Sequence, residues 1–354
     1  IQASNTSLTG GSTPFGLYDR DLAIISTLKL NKIYLINNAK QIIAFPGSTL
    51  HKLQNYLKPH NRAPHSEIGS SCIGASIVGG ICNSSGGSLI KRGPAYTELS
   101  LFAQINKFGE LKLVNKLGIN LGNSPDEILT NLETKNFSNK APIHKNQKAS
   151  STDYKKIIKN IKANTPARYN SDKKKLYESS GCAGKIAVFA VRLDTFKKEE
   201  NEKTIYLSTN KPEDFTNFRK KILSDIDNLP IYAEYMHKDS YYACKKYGKD
   251  AFLLINFLGT SCMPLFYKIK SKIEKYFKSS KLFGPKSLDY ILNNLANIFP
   301  NHLPKEFDSL NKKFAHHLIF KFESSDLKEI TKITNKIFNK SHNNIKFCNL
   351  KESK

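Results

Sequence analysis

A run of small, uncharged residues constrains this chain more than any other feature of its sequence. Residues 68–88 (IGSSCIGASIVGGICNSSGGS) carry no charged side chain, although 24% of the whole chain is charged. Glycine, serine, alanine and cysteine leave the main chain bare, so its N–H groups can approach a ligand that larger side chains would exclude. Such a run does not form a hydrophobic core by itself. It predicts either a segment wrapped around a ligand or a set of tight turns.

Two further clusters of the same chemistry occur at residues 4–13 (SNTSLTGGST) and 179–184 (SSGCAG). A single glycine-rich loop is equally typical of turns, bulges and close packing. Three clusters in one predicted domain cost backbone entropy on folding, which a bound ligand offsets. The chain has no GxxxxGK[ST] motif, and the run lacks the strand, GxGxxG and helix order of a Rossmann site. The clusters predict a large, phosphate-bearing coenzyme, for which we expect a flavin dinucleotide.

Length and charge allow several kinds of partner. The 354 residues suffice for two domains, and 55 Lys and Arg against 30 Asp and Glu give a formal charge of +25. Nearly all of the positive charge is lysine. Nucleic acid, an anionic membrane surface or plain solvation would each accommodate it. Apolar stretches such as residues 251–258 are shorter than the roughly 20 residues of a membrane-spanning helix, so any membrane contact is predicted to be peripheral.

The cysteines and histidines predict neither a disulfide framework nor a metal site. The six cysteines form no CxxC pair, and the nine histidines form no HExxH or HxH motif. Cysteines of this kind indicate reduced thiols in a cytoplasmic compartment. The sequence starts with Ile1, directly before a ligand loop, and we expect a fragment of a longer protein.

Hydrophobic periodicity predicts an α+β first domain. The predicted strands are residues 22–28, 33–36, 41–45, 98–104, 110–114 and 185–193, of which 98–104 and 110–114 form a hairpin. The predicted helices are residues 48–57, 154–163 and 171–177. Residues 135–153 are polar and predict a surface loop.

The sequence changes character near residue 195, which divides it into predicted domains 1–194 and 195–354. Long lysine-bearing amphipathic segments follow at residues 212–226, 267–278, 286–298 and 325–338. Residues 267–286 interleave seven lysines with Ile, Tyr, Phe and Leu, and Glu274 is their only acidic residue. Such a pattern fits a membrane interface, a solvated helix face or RNA binding. The coenzyme loops upstream favour the first two.

Two residues are candidates for catalysis. His237, in EYMHKD, has aromatic and acidic neighbours that could tune it as a proton acceptor. Arg92, in KRGPAY, directly follows the small-residue run and could pair with a phosphate or a carboxylate. A surface or satisfied buried histidine and a plain surface salt bridge are the alternatives.

Several long motifs resemble one family. They are ASNTSLTGGSTP, YDRDLAIISTLKL, residues 64–106, TPARYN, ESSGCAGKIAVFAVRLDTF, AEYMHKD, KYGKDAFLLI and FPNHLPK. Together they resemble the FAD-containing, quinone-linked D-lactate dehydrogenases of bacterial respiratory membranes, in the superfamily of vanillyl-alcohol oxidase. The resemblance extends over nearly the whole chain, although the family's N-terminal subdomain and C-terminal segment are largely missing.

The resemblance implies a fold and a coenzyme site. The implied fold is α+β, with a PCMH-type FAD-binding domain followed by an α+β cap domain that contains a basic membrane-contacting insertion at about residues 238–312. Ser7 replaces the family's usual glycine and would be strained if that position needs a positive φ. The implied FAD contacts are Ala3, Ser4, Asn5, Thr6, Ser7, Gly11, Ser12, Gly69, Ser76, Gly86 and Val188.

The resemblance also implies a reaction and a location. FAD would oxidise D-lactate to pyruvate, and a membrane quinone would take the electrons on the cytoplasmic face of the bacterial inner membrane. An anionic membrane surface is then the expected partner of the lysine-rich segment, and no nucleic acid is expected. The alternatives are a related flavin dehydrogenase for another 2-hydroxy acid, and a non-catalytic basic relic of a truncated gene that binds membrane or nucleic acid.

Overall fold

The structure is a computed structural model, and its chain divides into two compact units, Ile1–Lys198 and Glu199–Lys354. It describes the chain except residues 8–9, 15–17, 68–70, 72, 143–145, 170–171, 183–185, 260–261, 280–286, 300, 339–343, 351 and 354. Each unit combines antiparallel strands with helices, which confirms the α+β class. The division lies a few residues after the predicted one.

A five-stranded antiparallel sheet organises the first unit. The strands of this unit are β1 (Ile33–Ile36), β2 (Gln41–Ala44), β3 (Arg62–Ala63), β4 (Ser100–Ile105), β5 (Leu111–Asn115), β6 (Ala187–Asp194) and β7 (Phe196–Lys197). The sheet has the order β1-β2-β6-β4-β5, and β3 pairs with β7 in a separate ribbon. Strand β6 is the last of these five strands in the sequence, yet it lies at the centre of the sheet, between β2 and β4.

Helices cover both faces of this sheet. They are α1 (Leu50–Leu57), α2 (Ile77–Cys82), α3 (Pro125–Thr134) and α4 (Tyr154–Lys159). Because side chains alternate along a strand, Ile42 packs with α1 and α2, while its neighbour Ile43 packs with α3. Thr49 starts α1 by accepting a hydrogen bond from the N–H of Lys52 at 3.1 Å. The two faces thus build two separate cores around one sheet.

The guanidinium of Arg192 lies fully buried on the central strand β6. It donates to the Gln41 side-chain oxygen at 2.6 and 2.9 Å, and to the main-chain oxygens of Leu117, Ala141 and Pro142 at 3.0–3.1 Å. Burial lowers the pKa of Arg192, and nearby Asp194 opposes that shift. One side chain therefore ties β6 to β2 and to two long loops.

Most elements predicted for the first unit are confirmed, with shifted ends. β1, β2, β6 and the β4–β5 hairpin form where periodicity predicts strands, and α1 begins two residues later than predicted. The described residues of the polar segment 135–153 contain no helix or strand. Short β-rich runs were therefore sufficient to predict the strands that face a core on both sides.

Two predictions for this unit are wrong and one is too long. Residues 22–28 form no strand, and only Ser26 makes an isolated bridge, to Gln2. Within residues 171–177 the described part contains only a short 3-10 turn, Lys173–Lys175. The helix predicted to end at residue 163 ends as α4 at residue 159. Residues 171–177 (SDKKKLY) lack the apolar stripe that stabilises a short helix through packing.

The second unit is a four-stranded antiparallel sheet with helices on it. Its strands are β8 (Glu202–Thr209), β9 (Tyr232–His237), β10 (His316–Glu323) and β11 (Ile345–Phe347), in the order β11-β8-β10-β9. Helices α5 (Pro212–Asp225) and α11 (Leu327–Ile337) form a core with the sheet that contains Phe218, Phe320, Phe322 and Phe338.

A helical insertion separates β9 from β10. It comprises α6 (Lys238–Tyr247), α7 (Lys249–Leu258), α8 (Met263–Ser279), α9 (Ser287–Asn297) and α10 (Lys305–Lys313), and it coincides with the predicted membrane-contacting segment. The Tyr241 hydroxyl and the Lys245 ammonium donate to the Asp308 carboxylate at 2.7 Å, which fastens α6 to α10. Among the described residues, no helix combines the length and apolarity needed to cross a bilayer.

Two adjacent histidines of β10 point to opposite faces of the second sheet. His317 is buried, and its ring is hydrogen-bonded to the Ser208 hydroxyl at 3.0 Å and to the main-chain oxygen of Phe314 at 3.1 Å. His316 instead bonds the Tyr235 hydroxyl at 2.7 Å. Burial lowers the pKa of His317 to about 4.

We predict that Arg192→Met lowers the free energy of unfolding by about 3–5 kcal/mol, because the Gln41 oxygen and three main-chain oxygens lose their buried donor. Urea unfolding followed by circular dichroism measures the loss. Arg219→Met, at an exposed position of α5, is the matched control. Equal losses in the two variants would contradict the role given to Arg192.

We predict that the second unit loses stability as the pH falls from about 6.5 towards 4. His317 is held neutral when folded but titrates near 6.5 when unfolded, so the unfolded chain binds the proton more tightly. His317→Gln removes this difference, and its urea midpoint should change less than that of the parent between about pH 7 and pH 5. The lowered pKa of His65 is common to the parent and to His317→Gln, so its effect on stability cancels when their pH profiles are compared. Parallel pH profiles would refute the prediction.

Candidate coenzyme site

The first small-residue cluster is a loop closed by its own polar side chains. The hydroxyls of Ser12 and Thr13 donate to the Asn5 side-chain oxygen at 3.2 and 2.6 Å. Asn5 has a φ of 52°, a left-handed conformation that asparagine tolerates better than most residues. The Ser4 hydroxyl is buried and has no partner among the described residues. This loop also contains the predicted contacts Ala3, Thr6, Ser7 and Gly11.

Ser7 is not strained. The residues of this loop with a positive φ are Asn5 and Gly10 among those described, so the condition under which Ser7 would be strained is not met. A Cβ built on Gly11 would lie 3.8 Å from the Ser7 Oγ, an ordinary contact. The departure from the family's glycine therefore costs this loop no backbone strain.

The second cluster starts helix α2. The Ser76 hydroxyl caps it by accepting a hydrogen bond from the N–H of Gly79 at 3.0 Å. A Cβ on Gly79 would lie 2.5 Å from that hydroxyl oxygen, so glycine is required there. Gly69, a predicted FAD contact, lies outside the described residues.

A chain of main-chain hydrogen bonds joins the first cluster to the second. The N–H of Thr27 donates to the Gln2 oxygen at 2.9 Å, that of Leu30 to Thr27 at 2.9 Å, and that of Gly47 to Leu30 at 2.8 Å. The next residue, Ser48, accepts from the first N–H of α2 at 2.9 Å. A Cβ on Gly47 would lie 2.3 Å from the Thr27 oxygen, so only glycine allows this approach.

The third cluster packs directly against the second. The N–H of Gly181 donates to the Ile81 oxygen of α2 at 3.0 Å. The Ser180 hydroxyl donates to the Thr97 oxygen at 2.7 Å and accepts from the Thr97 N–H at 3.0 Å. Val188, on β6, is half-buried against the core that contains α2. The fold therefore assembles all three clusters in the first unit.

A cavity of about 340 Å³ opens beside the second and third clusters. Gly86 lines it, together with side chains for which the sequence predicted no role: Tyr96, Tyr154, Arg168 and Lys175. The Lys175 ammonium donates to the Asp153 carboxylate at 2.5 Å. The signal for Arg168 was the motif TPARYN, which the resemblance matched without assigning it a function.

Arg92 lies inside the first unit. It is buried, its guanidinium donates to the Pro64 oxygen at 2.5 Å and it packs 5.2 Å from the centre of the Phe196 ring. Burial, and secondarily the Arg92 charge, lowers the pKa of neighbouring His65 to about 4. The structure therefore gives Arg92 protein partners, and its predicted role at a phosphate or carboxylate stays a prediction.

His237 ends β9 and caps helix α6 in the second unit. Its Nδ1 accepts from the N–H of Asp239 at 3.3 Å and lies 3.1 Å from the Asp239 carboxylate. The ring centre of His316 is 5.4 Å away. A ring without a proton on Nδ1 accepts from the Asp239 N–H, whereas a ring with a proton on Nδ1 donates to the Asp239 carboxylate. Its predicted role as a proton acceptor stays a prediction.

The described residues of the first unit fit FAD. A dinucleotide requires donors for its diphosphate and main chain that can approach closely. Ser4 offers a buried hydroxyl with no protein partner among the described residues, and the Arg168 guanidinium lines the cavity against the main chain of Gly86. We find no group of three His, Cys, Asp or Glu residues arranged for a metal ion in the described parts of the chain.

Comparison with known proteins gives two family matches. Residues 1–96 match the family described as an FAD binding domain, and residues 204–354 match the family described as D-lactate dehydrogenase, membrane binding. These matches cover parts of both units.

Curated relatives match nearly the whole chain. The chain is 50% identical to the quinone-dependent D-lactate dehydrogenase of Escherichia coli over 93% of its length, and 46% identical to that of Haemophilus influenzae over the same share. It is 38% identical to the enzyme of Corynebacterium glutamicum over 95% of its length. The chain spans 58–59% of the length of these relatives. The chain is therefore similar to quinone-dependent D-lactate dehydrogenases over 93–95% of its length, and parts of it match an FAD binding domain and a D-lactate dehydrogenase membrane-binding domain.

Proposed function

We propose that this chain provides the FAD-binding and membrane-binding parts of an enzyme that oxidises D-lactate to pyruvate and passes the electrons to a membrane quinone. The observation that carries the proposal is the assembly of three small-residue clusters in one unit, with the Ser4 hydroxyl that has no partner among the described residues and the cavity beside Gly86. The names of the relatives reported above suggest D-lactate as the substrate and a quinone as the electron acceptor.

FAD, when bound, supplies the acceptor for the two electrons of the substrate. The chain holds the coenzyme through the predicted contacts on the first loop, Ser76, Gly86 and Val188. Main-chain amides and hydroxyls suit this task because they bind a diphosphate without competing charged side chains. For Arg92 the contacts favour a positioning role, since its guanidinium holds the main-chain oxygen of Pro64 shortly before the small-residue run.

The proposed base is His237, which would take the hydroxyl proton of D-lactate. In the neutral tautomer that donates Nδ1–H to the Asp239 carboxylate, Nε2 carries no proton and is the ring nitrogen that faces substrate in this proposal. A carboxylate next to the ring stabilises the imidazolium formed by the transfer. His316 and its hydrogen-bonded partner Tyr235 form the neighbouring part of this polar surface.

The membrane-binding element is helix α8 in this proposal. Leu265, Ile269, Ile273 and Tyr276 are exposed and lie four or three residues apart, which places them along one stripe of the helix. Lys268 and Lys272 are exposed beside this stripe. Apolar side chains that enter the headgroup layer next to lysines that meet anionic lipid describe a peripheral contact, on the cytoplasmic face of the inner membrane in our proposal.

We predict that the purified chain takes up FAD and that D-lactate, but not L-lactate, bleaches the flavin absorbance. His237→Gln should slow this reduction about a hundredfold or more without weakening FAD binding, because a general base contributes at least this factor. His60→Gln, at an exposed position of the first unit, is the control. Faster reduction by glycolate would indicate the related dehydrogenase, and failure to take up FAD would indicate the non-catalytic relic.

We predict that Lys268→Gln/Lys272→Gln reduces binding to vesicles containing phosphatidylglycerol by about tenfold to thirtyfold, since each lysine near an anionic surface contributes about 1 kcal/mol. Co-sedimentation at low and high salt measures the binding. The control, Lys328→Gln/Lys332→Gln, removes the same charges at the same spacing from α11. Equal binding by both double variants, or binding that salt does not weaken, would contradict an electrostatic contact through α8.

A further inference from the structure

Arg168 lines the cavity of the first unit with a guanidinium for which the described residues provide no hydrogen bond or ion pair. A Cβ built on Gly86 would lie 1.6 Å from its Nη2 and 2.0 Å from its Cζ, so the guanidinium rests directly on the main chain of Gly86. It is close enough to the Tyr154 hydroxyl to oppose the rise in the pKa of Tyr154 that burial causes. Position 86 therefore accepts no side chain while Arg168 adopts this conformation.

Other arginines of the first unit have protein partners. Arg62 donates to the side chain and main chain of Thr195, and Arg20 pairs with Asp19. Arg92 and Arg192 are buried and hydrogen-bonded. With the residues that the structure describes, Arg168 alone of this unit's arginines makes no ion pair or hydrogen bond.

The cavity around Arg168 suits an anion with two oxygens. Lys175 adds a second positive charge, although its ammonium is bound to Asp153. The carboxylate of Asp172 also lines the cavity, and it accepts from the main-chain N–H of Lys174 at 3.0 Å. A guanidinium pairs with phosphate or carboxylate through two parallel hydrogen bonds, which the compact ammonium of a lysine does not provide.

We propose that Arg168 is an anion-binding residue that holds a phosphate or carboxylate group against Gly86 when a ligand enters this cavity. The inference rests on the proposed function for the identity of the ligand. Its anionic group is the diphosphate of FAD or the carboxylate of the 2-hydroxy acid. Gly86 contributes by having no side chain, which lets the Arg168 guanidinium lie on its main chain at the wall of the cavity.

Arg168→Gln tests the proposal, with Arg219→Gln as the matched control at an exposed arginine of the second unit. Binding of inorganic pyrophosphate and of acetate is followed by calorimetry, which needs no flavin. FAD and riboflavin, which lacks the diphosphate, are then titrated by flavin fluorescence. Arg168→Lys keeps the charge without the two-pronged geometry and should bind between the parent and Arg168→Gln.

If the diphosphate is the ligand, Arg168→Gln should weaken pyrophosphate and FAD about tenfold to a hundredfold and leave riboflavin unchanged. If the carboxylate is the ligand, FAD binding should persist and the D-lactate concentration for half-maximal flavin reduction should rise by a similar factor. Unchanged binding of all four probes and of D-lactate, relative to Arg219→Gln, would overturn the proposal. Equal weakening of FAD and riboflavin would also overturn it, since that indicates a structural defect.

Different experimental results would contradict the anion-site proposal and the proposed function. A parent chain that binds pyrophosphate through Arg168 but takes up no flavin would contradict the proposed function and support the anion site. A parent chain that binds and reduces FAD while Arg168→Gln behaves like Arg219→Gln would support the function and contradict the anion site. Circular dichroism melting of each variant establishes that the chain compared is folded.

Discussion

The buried guanidinium of Arg192 is the interaction on which the first unit depends. Burying a cation costs several kcal/mol, which hydrogen bonds from all sides must offset. Here the Gln41 side chain and three main-chain oxygens provide them, so β2, β6 and two loops must all be in place at once. The same strand carries Val188, a proposed FAD contact, and directly follows the third small-residue cluster. Coenzyme site and core thus share one fixed strand.

The sequence predicted those elements whose signal is local. Short β-rich runs at 33–36, 41–45 and 185–193 indicated strands, and both faces of these strands are buried against helices. The similar run at 22–28 misled, because a strand needs a partner and these residues make only the single bridge to Gln2 among the described residues. The central position of β6 could not be predicted, since it depends on pairings between residues about 90 to 150 positions apart in the chain.

For the candidate site, composition predicted the clusters but not the cavity. Small residues indicate where a ligand can approach the main chain, and all three clusters lie in the first unit. Which side chains then face the ligand depends on long-range packing, and that is why Arg168 carried no assignment while Arg92, next to the run in sequence, did. Proximity along the chain favoured Arg92, yet folding buried it against Pro64 and Phe196.

The proposed tasks of the two units require different kinds of residue: small ones in the first unit and large exposed ones in the second. Binding a coenzyme through main-chain groups requires side chains to be absent, so serine and glycine concentrate where Ser4, Ser76 and Gly86 lie. Contact with a membrane surface requires large side chains to project, so helix α8 exposes Ile269 and Tyr276 beside its lysines. In the proposed function the lysine excess has a specific use in α8, whereas at exposed Lys328 on α11 solvation alone would account for it.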